Sequence, residues 1–255
     1  MTGTVYLVGA GPGATDLLTV RATRLLAQAD IVFHDALVPA DILALAPGAA
    51  RVAVGKRCGR HSTAQLFINK RLVDAAARYR IVVRLKGGDP LLFGRGQEEI
   101  AALEEAGISY EVVPGVTAAL ACAAALGTSL SQRGNVRSIA LATPRVGEGE
   151  DGSDWARGFA AADAGAIYMG VGQAAAVAAS LIRAGHPPGL PVAVVENASL
   201  PDENVVFTTL SELPHAAKSI LGAATILIGP QFRERSRRTT ELDHERCPPS
   251  QRVAR

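Results

Sequence analysis

The side chains best suited to chemistry sit in a few short, glycine-punctuated strings. Gly55-Lys56-Arg57-Cys58-Gly59-Arg60-His61-Ser62 packs four potential cations into six positions with no acid among them. Such a run suits an anionic ligand, a solvated charged surface or a nucleic-acid patch. Cys58 reads as structural, and His61 as an orienting group or a catalyst. Gly87-Gly88-Asp89-Pro90 removes two side chains where something must approach the backbone closely, then adds a carboxylate acceptor for ribose hydroxyls or an amino group. A glycine turn with Asp89 capping a helix explains the same residues. Phe93-Gly94-Arg95-Gly96-Gln97-Glu98-Glu99 offers an arginine fork for a carboxylate or phosphate, or an ion pair between Arg95 and Glu98 at a helix start.

Gly9-Ala10-Gly11-Pro12-Gly13-Ala14 satisfies G-x-G-x-x-A, and Asp35 stands where a ribose-binding carboxylate would close a dinucleotide site. Pro12 counts against this, because it lacks the N–H a pyrophosphate would use. The other strings also have no place in a dehydrogenase, and a tight turn without ligand remains open. Val113-Pro114-Gly115-Val116-Thr117-Ala118-Ala119 puts a rigid turn and a hydroxyl where a cleft could form. Tyr168-Met169-Gly170 could line an apolar pocket or simply fill a core, and Val195-Glu196-Asn197-Ala198 leaves a strand.

These strings need elements to hold them. Apolar runs and helical spacing predict strands over 5–8, 30–35, 51–54, 81–85 and 110–113, with helices over 17–29, 40–45, 64–77 and 98–106. A second set has strands over 137–142, 166–169, 192–195 and 225–229 and a helix over 174–184. Strand–helix alternation argues for an α/β fold with mostly parallel sheet. Two domains are expected, 1–115 and 116–232, followed by a charged, disordered tail over 233–255. The Gly- and acid-rich stretch 145–154 is expected to be a mobile loop.

Composition removes several classes. Eleven aromatics in 255 residues are too few for a base-stacking nucleic-acid platform. The longest apolar run, 118–126, has nine residues, whereas a membrane span needs about 20. The N-terminus has no basic, apolar leader pattern. Three cysteines without ligand spacing and five scattered histidines predict no metal and a reduced, soluble, cytoplasmic protein.

In their order, GAGPG near residue 10, VGKRCGRHS at 54–62, RLKGGDPLLFGRGQEE at 84–99, VVPGVTAA at 112–119, YMG at 168–170 and VEN at 195–197 resemble one family. It is the S-adenosylmethionine-dependent uroporphyrinogen-III C-methyltransferases, within the tetrapyrrole (precorrin) methylases, and the resemblance covers roughly residues 3–230. It implies two α/β domains with the active site in the cleft between them, usually as a homodimer. It also implies methylation of uroporphyrinogen III at C2 and C7 to precorrin-2, the branch point to sirohaem and cobalamin, with S-adenosyl-L-homocysteine as the second product. Asp35 then matches the proton acceptor and Lys56 the proton donor. Pro12, Gly87, Gly88, Asp89, Leu92, Thr117, Ala118, Met169 and Ala198 match cofactor-binding positions. Arg57, Arg60, Arg84, Lys86, Arg95 and Arg133 would form a cationic rim for a substrate bearing eight carboxylates, with His61 and Glu98 beside them.

The chain departs from the family pattern on the substrate side. His34-Asp35-Ala36 stands for Tyr-Asp-Arg, Gln65-Leu66-Phe67-Ile68-Asn69 for Gln-Glu-Glu-Ile-Asn, Leu130-Ser131-Gln132-Arg133 for Leu-Thr-His-Arg, and Thr143-Pro144-Arg145 for Thr-Gly-His. A methylase of a later precorrin and a catalytically weak tetrapyrrole-binding homologue therefore stay open, with the dinucleotide enzyme as a third reading. The net charge of +2 also divides unevenly. Residues 233–255 hold seven Arg against four acids, and the rest holds 19 cations against 20 acids. A polyanion would be recruited by local clustering, not by the overall field.

Overall fold

The run Thr-Val-Tyr-Leu-Val-Gly forms the central strand β1 (Thr4–Gly9), and it is apolar on both faces. Val5 and Leu7 are fully buried on one face and Val8 on the other, as expected for a strand inside a parallel sheet. The computed structural model describes residues 2–54, 61–147 and 152–233, with the backbone alone for 61–64. The 55–60 run, the centre of the expected 145–154 loop and the 234–255 tail lie outside the described residues.

The chain divides into two compact units. Counting only their described residues, the first comprises 2–54, 61–121, 146–147, 152 and 197–202, and the second 122–145, 153–196 and 203–233.

In the first unit, β1 is followed by α1 (Val20–Gln28), β2 (Ile31–His34), α2 (Ala40–Ala44), β3 (Ala50–Ala53), α3 (His61–Ala76), β4 (Ile81–Lys86), α4 (Gly96–Glu105), β5 (Tyr110–Val113) and α5 (Ala118–Ala125), whose last turn belongs to the second unit. The sheet order is β3-β2-β4-β1-β5, parallel throughout. Ala22 and Leu26 of α1 and Ile42 of α2 pack with Val8, Val83 and Leu85 on one face. Ile68 and Leu72 of α3 and Ile100 and Leu103 of α4 pack with Leu7 and Val82 on the other. Neighbouring strands β1 and β4 therefore lead into helices on opposite faces, which opens a crevice at their carboxyl ends, the usual ligand position in such sheets.

The expected helix over 17–29 is shorter than its periodicity suggests. Thr15–Leu17 is a 3-10 turn, and α1 begins only after Thr19, whose Oγ1 accepts from Ala22 N at 3.1 Å. A hydroxyl that can satisfy a free helix N–H sets the start, overriding the upstream leucines.

The second unit contains β6 (Ile139–Ala142), α6 (Trp155–Ala160), β7 (Ala164–Tyr168), α7 (Ala174–Arg183), β8 (Pro191–Glu196), β9 (Asn204–Thr209), α8 (Leu213–Ala216) and β10 (Ala224–Ile228). Its sheet order is β6-β7-β10-β8-β9. Only β6 and β7 pair in parallel; β7–β10, β10–β8 and β8–β9 are antiparallel, so the expected parallel character fails for this half. The strand β9 is the reason: no helix separates it from β8, and such a connection favours an antiparallel neighbour. Its residues are mostly half-buried, so it lacked the apolar run that marked the other strands. Phe159, Ile167, Val177, Leu181, Val194 and Ile226 centre this unit's core.

Among the described residues no helix is long and apolar enough to cross a membrane. Nor, among them, could any group of three or more His, Cys, Asp or Glu hold a metal ion.

Candidate functional site

Period-2 alternation in β4 decides the electrostatics of the first unit. Val83 and Leu85 face α1 and α2, so Arg84 and Lys86 share the opposite face with Val82, under α3 and α4. Both are buried, with 2% of each residue exposed. Two cations there require an acid, and Glu99 of α4, itself 0% exposed, supplies it. Arg84 Nε donates to Glu99 Oε1 at 2.9 Å, and Lys86 Nζ donates to both Glu99 oxygens at 3.0 Å. Gln65 Nε2 of α3 donates to Glu99 Oε1 at 3.3 Å and to Asn69 Oδ1 at 2.9 Å. The free edge of Arg84 then reaches Asp35, just past β2, through Nη2 to Oδ1 at 2.6 Å.

The surroundings act differently on the two cations. For Arg84, burial pulls the pKa down, but Glu99 and Asp35 outweigh it and hold the guanidinium above its ordinary value. For Lys86, burial and the neighbouring Arg84 lower the ammonium below its ordinary value, against the opposing pull of Glu99 and Asp35.

The expectation that Arg84 and Lys86 line an open cationic rim is not what this arrangement provides. Their hydrogen-bonding capacity is directed inward, and only the edge of Arg84 meets a partly exposed group, Asp35, whose side chain is 34% exposed. Arg84 thus stands beside Asp35 where the resemblance gave a missing arginine at Ala36. Lys56, Arg57 and Arg60 lie outside the described residues, and His61 is placed only as the first residue of α3.

At the carboxyl ends of β1, β4 and β5 three loops meet. Ala10 N donates to Lys86 O at 2.7 Å, and Gly11 and Gly88 exchange hydrogen bonds of 3.2 and 2.8 Å. Asp89 clasps the third loop, accepting from Gly115 N at 3.0 Å through Oδ2 and from Leu91 N at 2.8 Å through Oδ1. The glycines divide by role. A Cβ on Gly115 would collide with the Gly88 carbonyl and the Gly9 backbone, whereas Gly88, at φ 65°, has nothing within 4 Å of where a Cβ would stand. A Cβ on Gly87 would meet only Leu37, at 4.0 Å. The loops are packed tightly behind and open in front.

The other expected binding positions surround this edge in the first unit. Pro12 and Leu92 are half-buried. The carbonyl of Thr117 accepts from Leu120 and Ala121 at the start of α5, where Ala118 is the first helical residue. Ala198 is buried, and its neighbour Ser199 Oγ accepts from Ala14 N at 3.1 Å, tying the 197–202 segment to the Gly13 turn. Arg95 and Glu98 form a two-pronged pair of 2.6 and 2.7 Å, with side chains 43% and 48% exposed. In the second unit, Met169 follows β7 with its side chain exposed and Arg145 Nη1 3.9 Å from its sulfur, and Arg133 is exposed.

Backbone strain points to the same strings. Among the described residues, the non-glycine ones with positive φ are Phe93, Arg95, Met169, Asn197 and Ser199. Each lies in or beside one of the loops singled out in the sequence, and strain of this kind concentrates where a side chain must be aimed. Glu99 and Gln65 were not anticipated as site residues. The signal for Glu99 was present: two cations two apart in an apolar strand fall on one buried face and need an acid there. Gln65 carries no comparable signal.

The sequence profile of the Tetrapyrrole (Corrin/Porphyrin) Methylases matches residues 4–214. A siroheme synthase of Azotobacter vinelandii is 43% identical over 228 residues, covering 89% of this chain and 49% of that protein. The chain therefore spans about half the length of the curated relatives it matches. A uroporphyrin-III C-methyl transferase of Thermus thermophilus, complexed with S-adenyl homocysteine, superposes with a TM-score of 0.79 at 40% identity, covering 91% of this chain and 100% of that one. A cobalt precorrin-4 methyltransferase superposes at 0.74 with 31% identity, covering 89% and 94%.

Proposed function

This chain belongs to the tetrapyrrole (corrin/porphyrin) methylase family, and on that premise we propose that it transfers two methyl groups from S-adenosyl-L-methionine to C2 and C7 of uroporphyrinogen III. The products are precorrin-2 and S-adenosyl-L-homocysteine. The observation that carries the reading is the uncovered backbone edge at Gly87–Gly88, beside Asp35, whose N–H donates to Leu85 O at 3.2 Å. The likeness to a methyltransferase complexed with S-adenyl homocysteine supports it.

The donor set fits an adenosine-bearing sulfonium better than a dinucleotide. Glycine, alanine and leucine with backbone groups suit neutral and apolar surface, and Pro12 withholds a donor that a pyrophosphate would use. When bound, the cofactor supplies an electrophilic methyl, which leaves its sulfur as a neutral thioether. The macrocycle that accepts the methyl becomes cationic and must shed a proton. Asp35, held as an acceptor by Arg84, takes that proton, a role worth ~10²–10⁴-fold. Lys56 is the proton donor. Gly87, Gly88, Asp89, Leu92, Pro12, Thr117, Ala118 and Ala198 of the first unit are assigned to cofactor binding, as is Met169 of the second, and positioning near 3–3.5 Å between the reacting carbons supplies much of the acceleration. Arg95, Glu98, Arg133, Arg57, Arg60 and His61 meet the carboxylated substrate. We assign the protein to the cytoplasm and to a homodimer.

Incubation with uroporphyrinogen III and labelled S-adenosyl-L-methionine, followed by mass analysis, tests this. Two added methyls per macrocycle are expected, and a chain that binds S-adenosylhomocysteine yet transfers nothing would reduce the reading to tetrapyrrole binding. Action on a later precorrin is the second reading, favoured by the 31% identity to the precorrin-4 enzyme. Transfer to such a precorrin with uroporphyrinogen III untouched would select it. Calorimetric binding of NAD in place of S-adenosylhomocysteine would overturn both.

A further inference from the structure

We propose that Glu99, which touches neither substrate nor cofactor in the reading above, is a positioning residue for proton transfer and acts on Asp35 through Arg84. The inference rests on the reading of Asp35 as the proton acceptor, and the experiment separates the two.

A carboxylate on a loop end can rotate, and a rotating acceptor spends most of its time misaimed. Asp35 is only one-third exposed and is gripped at 2.6 Å by one edge of a guanidinium. That guanidinium cannot swing, because its Nε is held by Glu99 at 2.9 Å and its Nη1 donates to Leu85 O at 3.2 Å. Glu99 is fixed in turn by both contacts from Lys86 and by Gln65. The chain of contacts runs from β4 and α4 in the rigid interior to the one partly exposed carboxylate. Charge follows the same logic. Arg84 and Lys86 face Glu99 and Asp35, so the four groups are neutral together, and removing Glu99's charge leaves Asp35 alone opposite two cations.

Among the described residues, the charged or titratable groups around Asp35 are Arg84 and, through its charge, Lys86 from β4, and the neighbouring His34, whose Nδ1 lies 3.0 Å from the Asp35 carbonyl. Those around Glu99 are Arg84 and Lys86, with neutral Gln65 from α3.

Three variants of the full chain test the proposal: Glu99→Gln, Arg84→Lys and Asp35→Asn, each assayed for methyl transfer to uroporphyrinogen III and for calorimetric binding of S-adenosylhomocysteine. Glu99→Gln keeps the shape but removes the charge. Arg84→Lys keeps the charge but cannot bridge two carboxylates as a fork. Both are expected to lower kcat about 10- to 100-fold, the scale of an acceptor misplaced by about 1 Å, with S-adenosylhomocysteine affinity unchanged. In the Asp35→Asn background, Glu99→Gln should produce no further loss, since its effect passes through Asp35.

Wild-type kcat in Glu99→Gln and Arg84→Lys, with Asp35→Asn impaired, would overturn the positioning role and leave the function intact. An equal fractional loss from Glu99→Gln in both backgrounds would overturn it as well, marking a structural role. Unimpaired transfer in Asp35→Asn would instead remove the proton-acceptor reading. If Glu99→Gln fails to fold, Arg84→Lys alone and combined with Asp35→Asn decides by the same criteria.

Discussion

Lys86 places its Nζ 3.0 Å from both carboxylate oxygens of Glu99, with side-chain exposures of only 3% and 0%. Because Arg84 shares the same carboxylate, the two cations are not equally dispensable with respect to their acid. Replacing Lys86 by Met leaves Glu99 paired with Arg84. Replacing Glu99 by Leu leaves two buried cations facing the partly solvated Asp35. Breaking a buried pair by removing one partner typically costs about 3–5 kcal/mol. Urea denaturation of Glu99→Leu should show a loss in that range, and Lys86→Met about half or less. The reverse order would mean that the cluster does not share its charge as its contacts indicate.

Gly115 sits where three strand-end loops converge, and its N–H is bound to Asp89. A Cβ there would collide with the Gly88 carbonyl and press on the Gly9 backbone. Backbone cannot step aside as a flexible side chain can, so Gly115→Ala should cost about 1–3 kcal/mol or more. It should also push Gly88 toward the open side and weaken S-adenosylhomocysteine binding by about tenfold or more in calorimetry. Gly48→Ala, with nothing within 4 Å of the added methyl, is the matched control and should change neither.

Two of the glycines were legible because backbone approach and strain have few other residue solutions: Gly115 stands where no side chain fits, and Gly88 takes a φ of 65°, whereas no crowding marks Gly87. The parallel half of the fold was legible for a related reason, since strands buried on both faces read as unbroken apolar runs. The antiparallel half was less so. Strand β9 is half-solvated and polar along much of its length, and α6 and α8 are too short for a helical period to emerge. Residue type alone suggests an open rim for Arg84 and Lys86, but strand phase buries both against Glu99. Once Val83 and Leu85 occupy one face, β4's cations must lie on the other, inside the protein.

Asp163 should give the second unit an acid-sensitive contact. Its Oδ2 accepts from Arg137 N at 2.8 Å, Ser138 N at 2.9 Å and the Ser138 hydroxyl at 2.8 Å. These contacts, the Arg137 N–H foremost, hold its pKa below the ordinary carboxylate value. The unfolded chain therefore binds the proton more readily than the folded one. The stabilisation is complete above the unfolded pKa, about 3.9, and is lost as pH falls through the lower folded value. Asp163→Asn removes the titration, so the stability gap between wild type and variant should be widest near neutrality and narrow below about pH 4. Thermal unfolding at several pH values measures it; a gap independent of pH would place the contribution in the hydrogen bonds alone.

Cys122 should be chemically silent until its surroundings open. It is 1% exposed in α5, and burial, against a hydrogen bond with Thr225, pushes its thiol pKa up to about 12. At pH 8 roughly one molecule in 10⁴ would carry the thiolate, against about a quarter for a thiol at its ordinary pKa near 8.5. Iodoacetamide at pH 8 should therefore leave the Cys122 peptide unmodified in the native protein and alkylate it fully in denaturant, as read by peptide mass. Because reaction then waits on opening, the labelling rate should climb with urea below the unfolding midpoint, reporting the stability of the segment that buries it. Rapid alkylation in the native state, at a rate indifferent to urea, would show that Cys122 reaches solvent without unfolding and that its burial is not what suppresses the thiolate.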